Sequence, residues 1–162
     1  MIEYDYVRTK RRDVRAIPAW GQTVVRSLML IVTRLQVAIY KLTKGRLWNT
    51  IGVYPICIVT MTGAKSGISR QIALLHLPMG DNKLMVASQG GLDKMPIWYH
   101  NVTAHPEVKI MVDGTEKKYT AHRLSEEDKA ALWPYLCSLY PDFDNYQART
   151  NRNIPVFECT PN

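Results

Sequence analysis

The sequence predicts a mainly β fold, a small antiparallel barrel with peripheral helices, preceded by an amphipathic N-terminal helix. Three observations carry this prediction. Apolar and β-branched runs recur at 53–61, 70–77, 83–88, 108–112, 115–123 and 154–159, each of strand length. Two turn signals, Gly80-Asp81-Asn82 and Asp113-Gly114, join neighbouring runs as hairpins. The order of helix, three strands, short helix, hairpin, helix and strand lacks the βαβ alternation of a doubly wound sheet.

Taken in order, residues 1–20 read as an irregular basic arm holding Arg8, Lys10, Arg11, Arg12 and Arg15. From Thr23 to Thr43 the pattern is helical. Val24, Leu28, Ile31, Leu35, Ala38, Ile39 and Leu42 share one face, with Arg26, Arg34, Lys41 and Lys44 opposite. Leu30 and Val37 break the pattern by sitting on the basic side. An isolated helix needs tertiary burial, so the apolar face is expected to pack on the rest of the domain. The second reading is an interfacial helix whose basic side and arm, residues 8–44, meet anionic lipid. Gly45 ends the helix. The chain thus divides into an arm and helix, 1–45, and a barrel, 46–162. Within the barrel, a short helix spans 97–104. Ser125 caps a helix through Leu139 that contains Pro134.

The chain has 162 residues, of which 46% are hydrophobic and 22% charged, an ordinary globular balance. Residues 1–50 hold 10 Lys/Arg and 3 Asp/Glu, whereas residues 51–162 hold 11 of each. The formal charge of +7 therefore belongs to the N-terminal third, which argues against nucleic acid as a partner of the body. The arm is read as a solvated tail, a contact for an anionic membrane, or a contact for an acidic ligand. Cys57, Cys137 and Cys159 form no CxxC pair, and a reducing cytoplasmic location fits. The longest unbroken apolar stretch, Leu28–Val32, is too short to span a bilayer. Arg34 interrupts any signal-peptide core.

Three segments could carry chemistry. Thr60–Arg70 (TMTGAKSGISR) is a glycine-rich connection between strands, bearing Lys65, Ser66 and Arg70. Gly63 and Gly67 permit a backbone nest for phosphate or carboxylate. A solvated hairpin with surface cations is the equal alternative. In Val86–Trp98 (VASQGGLDKMPIW), Gly90 and Gly91 allow close approach by a flat ligand, and Pro96, Ile97 and Trp98 add apolar surface. The alternative there is a loop anchored by Trp98. In Tyr140–Tyr146 (YPDFDNY), Tyr140, Phe143 and Tyr146 recur at three-residue spacing and could line an acceptor pocket. On the residues alone, ordinary aromatic packing of a C-terminal helix onto the barrel is the favoured reading. His76, His100, His105 and His122 lack metal-ligand spacing, so no metal is expected. No GxSxG-type nucleophile appears, which leaves the chemistry to a cofactor.

The segments TMTGAKSGISRQIALLHL, VASQGGLDKMPIWYHNVTAHPEVKI and LWPYLCSLYPDFDNYQARTNRNIPVFE, in that order, resemble the deazaflavin-dependent nitroreductase family. The resemblance runs from about Trp48 to Pro161. It implies a split β-barrel of the FMN-binding type and coenzyme F420, with FMN the less favoured cofactor. By the family's pattern, Gly63, Lys65, Ser66, Gly67 and Arg70 hold the cofactor's phosphate and oligoglutamate tail. Ala73, Leu74, Leu75, Ala87, Ser88, Gln89, Gly90, Gly91, Pro96, Ile97 and Trp98 surround the deazaflavin ring. Tyr140, Phe143 and Tyr146 form the acceptor pocket, and Ser88, Tyr140 and Tyr146 are the candidate catalytic groups. Ala64 stands where a basic residue is common, and Gln89 where some members have lysine. Phe143 stands where some have tyrosine, which implies a preference for less polar rings.

The implied activity is hydride transfer from reduced F420 to a lipophilic or aromatic acceptor. Quinone is favoured over enones, conjugated lactones and nitroaromatics. The expected location is cytoplasmic, and the basic arm and helix leave peripheral contact with the inner face of the plasma membrane as a further option. The alternatives are an FMN-dependent reductase on the same barrel, a non-catalytic carrier of F420 or a lipophilic ligand, and a peripheral membrane-binding module.

Overall fold

One antiparallel sheet organises the chain in the computed structural model, which describes residues 4–15 and 17–162. The helices are α1 (Ala19–Leu42), α2 (Ile97–Ala104), α3 (Glu126–Leu139) and α4 (Asp142–Arg149). The strands are β1 (Thr50–Ile51), β2 (Tyr54–Thr62), β3 (Ser69–Leu75), β4 (Leu77–Met79), β5 (Asn82–Val86), β6 (Glu107–Val112), β7 (Thr115–Arg123) and β8 (Val156–Pro161). The sheet runs β2-β6-β7-β8-β5-β4, with β1 and β3 also paired to β2. β3 and β4 therefore lie at opposite ends of this path, yet only His76 separates them in the chain. The sheet must curl until those ends meet, which makes a split barrel rather than an open sheet.

β2 shows why the sequence reads as a nearly continuous apolar run. Cys57, Val59 and Met61 point into the barrel core with Met85, Ala87, Ile110, Tyr119 and Phe157. Ile56 and Ile58 point outward but are covered by Val37 and Tyr40 of α1. A strand covered on both faces needs no polar alternation. β5 behaves alike: Met85 faces the barrel, while Leu84 and Val86 meet Trp133, Leu136 and Phe143 of α3 and α4. The β6–β7 hairpin turns at Asp113-Gly114, with φ of 48° and 79°, the left-handed pair a type I′ turn requires. Ser125 caps α3 by accepting the Asp128 N–H at 3.0 Å.

Several expectations are corrected. The run 70–77 is two strands, because the chain crosses from one end of the sheet to the other at His76. β1 and α4 are additional elements. The described part of the arm is not a solvated tail: the Arg8 and Thr9 backbone N–H groups donate to the Asp144 carboxylate of α4, and the Tyr6 ring packs at a tilt against Trp133, with centroids 5.4 Å apart. Arg11 also donates to Asn151.

The helix is oriented opposite to expectation. Its barrel-facing side carries Gln36, Val37 and Tyr40, all buried. Trp20, Val24, Leu28, Ile31, Leu35 and Leu42 are each more than half exposed. The two residues that broke the pattern, Leu30 and Val37, lie on the side that meets the barrel. α1 is also continuous through Arg26, Ser27, Thr33 and Arg34. Its 24 residues, about 36 Å of helix, are long and apolar enough to cross a membrane by length and composition alone.

Candidate active site

α1 lies across β3 and roofs two adjoining cavities. Three attachments hold it there. Gln22 makes a two-way contact with Asp93, donating from Nε2 at 2.8 Å and accepting the Asp93 N–H at 3.3 Å. The Gln36 side chain donates to the carbonyls of Trp48 and Thr50, both at 3.2 Å. The Tyr40 hydroxyl accepts the Asp113 N–H at 2.9 Å, and burial raises the pKa of that phenol.

The first cavity is a slot of about 220 Å³, lined mostly by apolar atoms. Ala73, Leu74 and Leu75 of β3 form one wall. Ser88, Gln89, Gly90, Pro96 and Trp98 form another, and Tyr140, Phe143 and Tyr146 close the end. Tyr140 and Tyr146 share a hydrogen bond of 2.9 Å between their hydroxyls, in which either can donate. Burial, then the bond to Tyr146, pushes the Tyr140 phenol above its ordinary pKa, so it stays protonated across the working range. Phe143 packs edge-on against Tyr140, with ring centroids 5.0 Å apart. From above, Arg26, Met29, Leu30 and Thr33 of α1 complete the lining.

The second cavity is a groove of about 940 Å³. It shares Leu30, Thr33, Ile72 and Trp98 with the slot and continues over the β2–β3 turn. Gly63, Lys65, Ser66, Arg70 and Ile97 line it, with His100 and Asn101 of α2 and Arg34 and Lys41 of α1. Among the described residues, the lining holds four lysine or arginine side chains and no carboxylate.

The turn itself is tightly built. Gly63 N–H donates to the Ile68 carbonyl at 2.9 Å, and Gly67 N–H to the Gly63 carbonyl at 2.8 Å. Ala64 N–H donates to Asn101 Oδ1 at 3.0 Å, and Ile68 N–H to Ser66 Oγ at 3.3 Å. The expected nest of backbone donors is thus largely occupied by the protein's own acceptors. Anion binding here falls to side chains. A Cβ at Gly63 would stand 2.7 Å from Ser66 Oγ and 3.1 Å from the Ile68 carbonyl, so a side chain there would turn the Ser66 hydroxyl aside.

Three of the expected ring or tail residues line neither cavity. Ala87 is fully buried in the barrel core. Gly67, at φ 66°, closes the turn. Gly91 packs on α4, where a Cβ would meet the Tyr146 carbonyl at 2.7 Å.

Other residues build the site without having been singled out by sequence. Arg152 donates to the Ser88 carbonyl at 2.7 Å and the Leu92 carbonyl at 2.8 Å. Arg149 donates to the Gly90 carbonyl at 2.8 Å. These two guanidinium groups clamp the loop that walls the slot. Behind α4, buried Lys129 donates to Gln147 and Asn153 and sits 4.9–5.5 Å from the rings of Tyr4, Tyr6 and Trp133. Desolvation pushes this ammonium down to about 7, with Glu126 opposing. Among the described residues, no cluster of His, Cys, Asp or Glu could hold a metal.

An apolar slot joined to an acid-free cationic groove suits a ligand with a flat ring and a polyanionic tail. The residues present therefore fit F420. The comparisons point the same way. Residues 32–161 match the family described as F420H(2)-dependent quinone reductase. An F420H(2)-dependent quinone reductase of Mycobacterium tuberculosis strain H37Rv is 39% identical over 131 residues, covering 78% of this chain and 88% of that protein. A solved F420-H2 dependent reductase is 39% identical, with a TM-score of 0.60, over 65% of this chain and 93% of its own. A structure described as a domain-swapped dimer is 34% identical, with a TM-score of 0.63, over 78% of this chain and 95% of its own. The haem storage protein HutZ of Vibrio cholerae shares the fold alone, at 8% identity and a TM-score of 0.53 over 66% of this chain and 81% of its own. Family match, relatives and site chemistry agree that this chain belongs to the F420H(2)-dependent quinone reductase family, F420-dependent reductases built on a split β-barrel.

Proposed function

We propose that this chain reduces a quinone with F420, and that enones, conjugated lactones and nitroaromatics are secondary acceptors. The observation that supports this most is the apolar slot opening into an acid-free cationic groove. When bound, reduced F420 supplies a hydride from C5 of its ring. The chain's own part is placement. Lys65, Ser66 and Arg70 hold the tail by charge and hydrogen bonding. Ala73, Leu74, Leu75, Pro96 and Trp98 bound the ring, while Met29 and Leu30 keep water from the slot. A slot that held the ring and the acceptor within reach of one another would contribute to the rate through pre-paid orientation. Tyr146, Tyr140 or Ser88 delivers a proton to the acceptor oxygen. The Tyr140–Tyr146 pair is suited to this, because one hydroxyl can donate outward while accepting from the other. Phe143 sets an apolar ring beside the Tyr140–Tyr146 hydroxyls, which favours a quinone over a more polar acceptor.

The test is titration with F420 and, separately, FMN, followed by tryptophan quenching, then turnover of reduced F420 against quinone, enone and nitroaromatic panels. Tight F420 binding with fastest turnover on quinones is expected. Binding of FMN alone would move the protein to flavin chemistry on the same barrel. Tight F420 binding without turnover on any acceptor would make it a carrier.

A second reading concerns location. The outward apolar stripe of α1 supports a lipid surface as its partner, where quinones also reside. Lipid contact would then be made by Trp20, Leu28, Ile31 and Leu35 rather than by the helix's basic side. Flotation with anionic vesicles should carry the wild-type chain, and Leu28→Ser with Ile31→Ser should abolish it. Flotation indifferent to those substitutions would sink this reading.

A further inference from the structure

The basic side of α1 does not face solvent opposite the barrel. Arg34 and Lys41 both line the groove that also holds Lys65 and Arg70. Lys41 reaches across to β3, donating to Gln71 Oε1 at 3.1 Å, and Gln71 in turn donates to Thr60 Oγ1 at 3.0 Å. The groove's cations therefore come from two separate elements, the roof and the floor. Among the described residues, no carboxylate lines it to neutralise them.

We propose that α1 is a clasp for the cofactor's acidic tail, with Arg34 and Lys41 binding it from above while Lys65 and Arg70 bind it from below. This rests on the reading that the groove holds the tail. Without an anion, the roof and floor repel one another across the groove. A polyanion between them replaces repulsion with attraction on both sides, so tail binding draws α1 onto β3. The same helix supplies Met29 and Leu30 to the slot, so engaging the tail also seals the ring's compartment from water. Cofactor binding and helix closure are then one equilibrium, and by linkage each strengthens the other.

The experiment compares F420 with its tail-less deazaflavin fragment on the full chain. Arg34→Gln with Lys41→Gln is expected to weaken F420 about ten-fold at low ionic strength, an effect that shrinks in high salt. Affinity for the fragment should not fall. Lys65→Ala with Arg70→Ala is the control for the groove itself. Loss of F420 affinity in the floor variant but not in the roof variant overturns the clasp and leaves the tail site standing. No loss in either variant overturns the tail site as well. Hydrogen exchange gives a readout independent of turnover. Amides of α1 should exchange more slowly with F420 than with the fragment, and equal exchange in both would also overturn the clasp.

Discussion

The two cavities beneath α1 share a wall of Leu30, Thr33, Ile72 and Trp98 yet act by opposite physics. The slot is apolar and shaped, so its interactions fade beyond contact distance. The groove is charged and open, so its attraction reaches about a Debye length, roughly 8–10 Å in ordinary buffers. A ligand entering this protein is captured by its tail and placed by its ring. Affinity and chemistry are thereby divided between two compartments that one helix covers together.

The largest effect that separates them is salt. Lys65→Ala with Arg70→Ala should weaken F420 by roughly 10- to 100-fold in low salt, shrinking toward wild type as salt rises. The KM for a neutral quinone should be unmoved by either change. Affinity that is the same for both proteins at every ionic strength would erase the distinction. The next effect belongs to the slot alone. Tyr146→Phe breaks the hydroxyl pair and should lower kcat by about ten-fold while leaving the F420 Kd intact. A matched loss of F420 binding would mean that the tyrosines serve the cofactor rather than the acceptor.

The smallest effect concerns the support behind the slot. Lys129, with its proton held near 7 in the folded chain and near 10.5 when unfolded, is charged at a cost below pH 7. The unfolded chain binds this proton more tightly, so stability rises as pH climbs from 7 toward 10.5. About 1 kcal/mol is expected between pH 6.5 and 9, because the aromatic rings around the ammonium offset part of the burial penalty. Chemical denaturation at the two pH values checks it, with Lys129→Met as the variant that should lose the dependence. A stability unchanged in wild type would show that the rings hold the charge at no cost.

The barrel was legible because its signals are local. Asp113-Gly114 needs left-handed backbone, and β-branched runs such as Val53–Met61 need a sheet. The split at His76 was not, because nothing within 70–77 says that the two halves pair with opposite ends of the sheet. The helix was legible as a helix but not in its orientation. Periodicity finds a stripe, and only the partner decides which side is inside. Leu30 and Val37 were the usable signal, two apolar residues with no business on a solvated basic face. The family resemblance pointed to Tyr140, Phe143, Tyr146, Lys65 and Arg70, and the fold brings these to the two cavities. The same resemblance placed Ala87 and Gly91 beside the ring, where the structure has them packed in the core and against α4. Arg149, Arg152 and Asp144 were invisible because most of their partners are backbone groups 57 or more residues away, such as the Gly90, Ser88 and Leu92 carbonyls and the Arg8 and Thr9 N–H groups.

The position of β8 carries a consequence in time. It lies between β5 and β7, pairing Lys83 with Cys159 and Arg123 with Phe157. Asn82 and Glu158 join hands across 76 residues. As the chain is synthesised, β2–β3, β4–β5 and β6–β7 can each zip locally soon after they emerge. The edges of β5 and β7 stay open until β8, last in order, arrives to fill the gap. Barrel closure is therefore a late and slow event: the open edge of β5 waits from residue 86, and that of β7 from residue 123, until β8 begins at residue 156.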